Sequence, residues 1–92
     1  MEGYVYILKS LKNNRYYIGS TTNIDNRLKM HNNGRVQSTK NNRPYKIELL
    51  QKYKTIKEAK QIEYRIKKLK RKDYIHRMIT DGYIKMVAVA QW

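Results

Sequence analysis

The sequence predicts a small α/β domain of the α+β kind, a mainly antiparallel three-stranded sheet flanked by helices in the order β-β-α-β-α-α. Three observations lead there. Two runs rich in β-branched and aromatic residues, YVYILKS and RYYIGS, are separated by an asparagine-bearing turn. A third such run, YKIELLQKY, follows a lone proline. Between and after these runs, apolar residues recur at three- and four-residue spacing, with cap residues at the segment ends.

Tyr4 to Ser10 is the first strand, with Tyr4, Tyr6 and Leu8 on one face and Val5 and Ile7 on the other. LKNN then supplies a hairpin turn, because asparagine tolerates positive φ. The second strand returns with Tyr17 and Gly19 on one face, Tyr16 and Ile18 on the other. A glycine weakens a strand interior, so Gly19 marks a bend or a close backbone approach. The first helix takes Thr22 or Asn23 as its N-cap and places Asp25 at its positive end. It stops at NNG, with Gly34 as a left-handed cap. Ile24, Arg27, Leu28 and His31 fall within one arc of about 100° on this helix. An arginine and a histidine therefore share its core-facing side.

Gly34 to Pro44 has turn chemistry without periodicity, a loop of basic and hydroxyl groups. Tyr45 to Tyr53 is the third strand, and Pro44 at its entrance suits an edge or a strand start. A long helix begins at Thr55, whose hydroxyl forms a capping box with Glu58. Ile56, Ala59, Ile62, Ile66 and Leu69 make its apolar stripe, and Glu63 falls inside that stripe. Lys57, Lys60, Arg65, Lys68 and Lys72 fan out elsewhere. Tyr74 to Gly82 is a further short helix ended by its glycine. Residues 1–83 read as a single domain and 84–92 as an apolar tail, with no repeat and no linker.

The chain has 92 residues, of which 40% are hydrophobic, enough for one modest core. It has nine tyrosines and neither phenylalanine nor cysteine. Tyrosine thus does the aromatic packing, and disulfides, cysteine-based zinc sites and thiol catalysis are excluded. No charged leader precedes an apolar segment and no apolar run reaches membrane-spanning length, so the expectation is a cytoplasmic protein with no membrane association. The net charge is +14, from 21 Lys and Arg against seven acids. Lys52 to Arg77 alone carries eleven basic residues and three acids. So few acids leave most of these cations without partners, which points to a nucleic acid rather than to a merely solvated helix.

Burying a charge is costly, so Arg27, His31 and Glu63 each need a partner or a task. Two readings fit. Arg27 and Glu63 form an ion pair that stitches the two helices, with His31 simply hydrogen-bonded. Alternatively, these groups join Tyr6 and Tyr17, which share a face of the hairpin, around a polar pocket that Gly19 leaves open.

The residues also carry a resemblance. Tyr4-Val5-Tyr6, ten residues, then Tyr17-Ile18-Gly19 resembles the paired signature of the GIY-YIG nuclease superfamily. The second triplet matches to the letter, while Tyr4 and Val5 stand where the first has Gly and Ile. Arg27 and His31, eight and twelve residues past Gly19, match the family's helix motif, and EAKQIEYRIKKLKR with Glu63 resembles its small stand-alone bacterial members. The likeness covers about residues 3 to 72 and favours the pocket. It implies a DNA endonuclease that hydrolyses phosphodiesters with one Mg²⁺ or Mn²⁺ ion, structure-selective or weakly sequence-specific. Carried over, Tyr6 acts as general base or aligns the attacking water, and Tyr17 hydrogen-bonds within the site. Arg27 binds the scissile phosphate, His31 assists at the phosphate or the water, and Glu63 holds the metal. A loop hydroxyl completes the set, from Ser38 or Thr39. A C-terminal asparagine found in some relatives has no counterpart here.

The chemistry agrees with the resemblance. An arginine fork and a hard cation bind the transition-state phosphoryl better than the ground state. One carboxylate suffices for Mg²⁺, which keeps much of its hydration shell. A phenol is a weak base at neutral pH, and positive neighbours are expected to lower its pKa. Lys57, Lys60, Lys67, Lys68, Lys70, Arg71 and Lys72 are the expected nucleic-acid contacts. No Gly-rich phosphate loop or HExxH is present, and His31 and His76 are too far apart to read as a metal pair. Two alternatives stay open: a non-catalytic basic nucleic-acid-binding module of the same fold, and an RNA-associated protein whose tyrosines stack on bases. A protein partner for targeting is compatible with either, since larger relatives attach a separate DNA-reading domain. Only the nuclease needs Glu63 and a metal.

Overall fold

A computed structural model describes residues 1–69 and 71–84. Strands β1 (Gly3–Ser10) and β2 (Tyr16–Thr21) form an antiparallel hairpin. In its turn Asn14 sits at φ 63, the left-handed conformation that asparagine accepts. The Ser10 hydroxyl accepts from the N–H groups of Lys12 and Asn13 and closes the turn. Helix α1 (Ile24–Asn32), a 3₁₀ turn (Lys40–Asn42), strand β3 (Tyr45–Tyr53), helix α2 (Ile56–Leu69) and helix α3 (Lys72–Asp81) follow. Strand β3 also pairs antiparallel with β1, so the strand order among the described residues is β2-β1-β3. The predicted element order is the one observed.

The alternation of β1 divides the core in two. Val5 and Ile7 join Ile18, Leu49, Ala59, Ile62 and Ile66 under α2, with Met78 of α3 and Ile84. Tyr6 and Leu8 join Tyr45, with Tyr17 and the α1 residues Ile24 and Leu28 packed against them. The sheet thus lies between α1 on one side and α2 with α3 on the other. Strand β3 serves both cores because its register slips: Ile7 faces Leu49, but Leu8 faces Ile47. Glu48 is the extra residue, and such a bulge turns the strand before it to the opposite face. Tyr45 and Leu49, separated by an even step, therefore point to different cores.

The helix ends follow their local chemistry. Asn23 caps α1 by accepting from the Asn26 N–H at 3.1 Å. At the other end Gly34 adopts φ 76, its N–H bonds His31 O at 3.2 Å, and the Arg35 N–H bonds Met30 O at 2.9 Å. These two bonds make a Schellman cap. In α2, Thr55 Oγ1 accepts from the Glu58 N–H at 3.1 Å and meets the Glu58 carboxylate at 3.3 Å. The stripe predicted for α2 holds for Ala59, Ile62 and Ile66 but not for Leu69, which is 37% exposed because the core ends one turn earlier. Among the described residues no helix is long and apolar enough to cross a membrane. Lys70 and all of the predicted tail except the buried Ile84 lie outside the described residues.

The Schellman cap can be tested by substitution, with the Arg43 side chain giving way at the same time, because a Cβ at Gly34 would overlap its guanidinium. Gly34→Ala forces an L-residue into the left-handed region, a cost of about 1 kcal/mol. For a chain of this size that lowers the melting temperature by about 4–8 °C in thermal denaturation. An unchanged midpoint would mean the cap contributes nothing.

Candidate active site

Tyr6 of β1 lies directly opposite Gly19 of β2 in the hairpin register. Its phenol crosses the glycine so closely that a Cβ built there would overlap the hydroxyl. This is the close approach that a glycine inside a strand signals. The Tyr6 hydroxyl then meets α1 from both ends of the helix arc. Arg27 Nε donates to it at 3.3 Å, and His31 Nε2 lies 3.1 Å away. On its far side His31 Nδ1 is 2.7 Å from the hydroxyl of Thr39, which itself reaches Val36 O at 3.4 Å. The rings of Tyr6, Tyr17 and Tyr45 stand edge-on around the imidazole, with centroids 5.8, 4.9 and 6.0 Å away.

Glu63 comes from the other side of the sheet. Ser20, the residue after Gly19, points toward α2 and donates its hydroxyl to Glu63 Oε1. The second carboxylate oxygen is 2.6 Å from Lys67 Nζ, one helical turn on, and Lys67 also stands 5.6 Å from the centre of the Tyr17 ring. Groups from both faces thereby meet over the β2 edge. Tyr6, Tyr17, Gly19, Arg27 and Glu63 line one cleft of about 380 Å³, together with Ser20, Lys60, Tyr64 and Lys67.

Burial pushes the His31 imidazole down to about 4, and the charge of Arg27 acts in the same direction. His31 is therefore neutral at pH 7, with one N–H. Thr39 uses its proton on Val36 O, so Nδ1–H donates to Thr39 and Nε2 accepts from Tyr6. This assignment satisfies every group in the chain. Burial also pushes the Tyr6 phenol up, outweighing the hydrogen bond and charge of Arg27, which lower it. The expectation counted Arg27, the lysines and the metal as lowering the Tyr6 phenol; Arg27 does not suffice, because at 1% exposure desolvation wins.

The family model of the GIY-YIG catalytic domain matches residues 2–77. The chain belongs to the GIY-YIG family. It is 41% identical over 71 residues to a UPF0213 protein of Bacillus licheniformis, covering 76% of this chain and 72% of that one. It is 42% identical over 69 residues to a UPF0213 protein of Clostridium perfringens, covering 74% and 73%. Among solved structures, the solution structure of UPF0213 protein BH0048 from Bacillus halodurans superposes with a TM-score of 0.56. That match has 31% identity and covers 89% of this chain and 87% of that one. The family is one of endonucleases, and these relatives' names state no activity of their own.

Several of the residues singled out in the GIY-YIG reading lie together in the structure. Tyr6, Arg27, His31 and Thr39 form one continuous hydrogen-bonded chain. Between the two loop hydroxyls, Thr39 is buried against His31, whereas Ser38 is exposed. The Arg27–Glu63 ion pair is not formed, because Arg27 turns to Tyr6 and Glu63 to Lys67. The predicted contact cations divide. Lys60 and Lys67 line the cleft, Lys57 lies in an adjoining groove beside Tyr64, and Lys68 stands 5.5 Å from the Tyr64 ring. Arg71 pairs with Asp73 at 2.8 Å and Lys72 stands 5.9 Å from the Tyr16 ring, which engages both outside the cleft. Ser20 was not foreseen, although it directly follows the glycine that opens the site. The pairing of Lys67 with Glu63 was not foreseen either; its signal is the Glu-to-Lys spacing of four on one helix.

The buried neutral histidine makes stability depend on pH. Its folded pKa lies below the usual 6.5, so the unfolded chain binds the proton more readily. The stability it contributes is complete above about pH 6.5 and is lost as pH falls toward about 4, by up to about 3 kcal/mol. Thermal melting should show a falling midpoint across that window, and His31→Gln should flatten the slope. An equal slope in the variant would place the acid sensitivity elsewhere.

Proposed function

We propose that this protein is a divalent-metal-dependent endonuclease that hydrolyses phosphodiester bonds in DNA. The observation that supports it most is the convergence of the Tyr6 phenol, the Arg27 fork and the Glu63 carboxylate on one cleft. Arg27 uses Nε to hold Tyr6 and presents the remainder of its fork to the cleft, where a phosphate gains most in the transition state. Tyr6 aligns the attacking water through its hydroxyl, whose own proton is held by His31 Nε2 at 3.1 Å while Nδ1–H is held by Thr39. Burial keeps the phenol protonated and the imidazole neutral, so the pair orients the water rather than carrying its proton away.

The donor set fits a hard cation. Among the described residues there is no group of three or more His, Cys, Asp and Glu side chains that could hold a metal ion. A single carboxylate at a polar cleft, completed by water and substrate oxygens, suits Mg²⁺ or Mn²⁺. Glu63 would hold it, and the ion would supply charge at the phosphoryl oxygens.

The cleft contains no element shaped to read base edges, and its cations position phosphates without reporting sequence, so selectivity is by substrate shape. The binding-only alternative draws on one observation: Glu63 is already neutralised by Lys67.

One assay separates the two. Labelled duplex, branched and single-stranded DNA are incubated with Mg²⁺, Mn²⁺ or EDTA, with the parent and Glu63→Gln. Cleavage should need the metal and fall by at least about a hundredfold in the variant, the scale of losing a major transition-state contact. The melting temperature should hold, because Arg27 keeps its bond to Tyr6. Absence of cleavage with every substrate and metal would favour the binding module.

In EDTA, affinity for duplex should fall with salt at a log–log slope of about −3 or steeper, each phosphate contact releasing about 0.9 counterion. A slope near zero would remove the phosphate backbone as the ligand.

A further inference from the structure

We propose that Lys67 is a counterion built into the cleft: its ammonium holds Glu63 until a divalent cation displaces it, and then moves to the substrate phosphate. This rests on the reading of Glu63 as the carboxylate that holds the metal. Both oxygens of that carboxylate are already engaged, one by the Ser20 hydroxyl and one by Lys67 Nζ at 2.6 Å. A divalent cation arriving there meets a neutral hydroxyl, which can stay, and an ammonium, which cannot. Two cations at one carboxylate repel each other strongly in a partly buried site.

The displaced ammonium has somewhere to go. Its side chain is half-exposed on a flexible four-carbon stem, and the face of Tyr17 lies 5.6 Å away inside the same cleft. Arg27 enters the cleft from α1 and Lys67 from α2, so a phosphate between them is gripped from two elements. The pairing also has a use before the metal arrives. A bare carboxylate would repel an incoming polyanion, whereas the paired one does not. Metal entry then transfers a positive charge from Glu63 to the substrate. Metal and nucleic acid therefore strengthen each other's binding by the same factor.

Mn²⁺ titrations without nucleic acid test the competition. They are read by paramagnetic broadening of backbone amides around Ser20 and Glu63, in the parent, Lys67→Met, Lys60→Met and Glu63→Gln. Lys67→Met should bind Mn²⁺ about tenfold more tightly, the scale of removing a charge-assisted competitor. Lys60 lines the cleft but has no ion pair with Glu63 among the described residues, so Lys60→Met changes only the general field and should gain at most about twofold. Glu63→Gln should lose the site. If Lys67→Met matches the parent, or gains no more than Lys60→Met, the proposal is overturned while the metal reading stands. If Glu63→Gln binds as the parent does, the metal reading itself fails. A second titration uses duplex DNA under conditions in which no cut strand is detected. Mn²⁺ should strengthen its binding to the parent at least about threefold more than to Lys67→Met. Equal strengthening would overturn the transfer to phosphate.

Discussion

The passage of the Tyr6 phenol across Gly19 is the contact on which the remaining structure depends. Because the position opposite Tyr6 has no side chain, the hydroxyl reaches the α1 side of the sheet at a fixed point. Arg27 and His31 are then placed by that hydroxyl as much as by their helix, and Thr39 is placed by His31. The connection between α1 and β3 is thereby tied to the centre of the sheet. Among the described residues no buried side-chain nitrogen or oxygen lacks a partner. That full satisfaction is what makes an arginine and a histidine tolerable on the apolar side of a nine-residue helix.

The sequence carried the fold well where one face of an element meets one core. The alternation of Tyr4 to Ser10 sorted Val5 and Ile7 from Tyr6 and Leu8 correctly, and Asn23, Gly34 and Thr55 acted as the caps their chemistry suggests. It carried β3 poorly, because Tyr45, Ile47 and Leu49 sit at even spacing and look like one face. Only the pairing with β1 reveals the slip at Glu48. Arg27 and His31 were legible for the same reason they are expensive: polar groups in an apolar arc stand out. Their partners were not. Which acceptor takes a half-buried guanidinium depends on how helices sit across a sheet, so Arg27 choosing Tyr6 over Glu63 has no local signature. Ser20 escaped notice because a serine near a strand end has many unremarkable uses.

Function and stability draw on the same groups here, but unevenly. His31 lies behind the cleft, buried and neutral among the rings of Tyr6, Tyr17 and Tyr45. The Glu63 side is open and charged, at the margin of the α2 stripe whose core contacts are Ala59, Ile62 and Ile66. Exchange of partners is therefore cheap at Glu63 and costly at His31. For the proposed hydrolysis that asymmetry would be useful, since a group aligning the attacking water must stay still while the charges around the substrate rearrange.

Strand β3 constrains the chain in a different currency. Glu48 itself makes one surface ion pair, with Lys46 at 3.1 Å, and most side chains would serve in its place. Its presence as a residue is another matter. Tyr45 bonds Thr39 O through its hydroxyl at 3.2 Å and the Asn32 side chain through its backbone N–H at 2.7 Å. Removing one residue from the strand would turn Tyr45 toward the opposite core and pull on the α1 C-terminus and the Thr39 loop together. At this point in the chain the spacing carries more than the letter, and an insertion or deletion at Glu48 disturbs more than a substitution of its side chain.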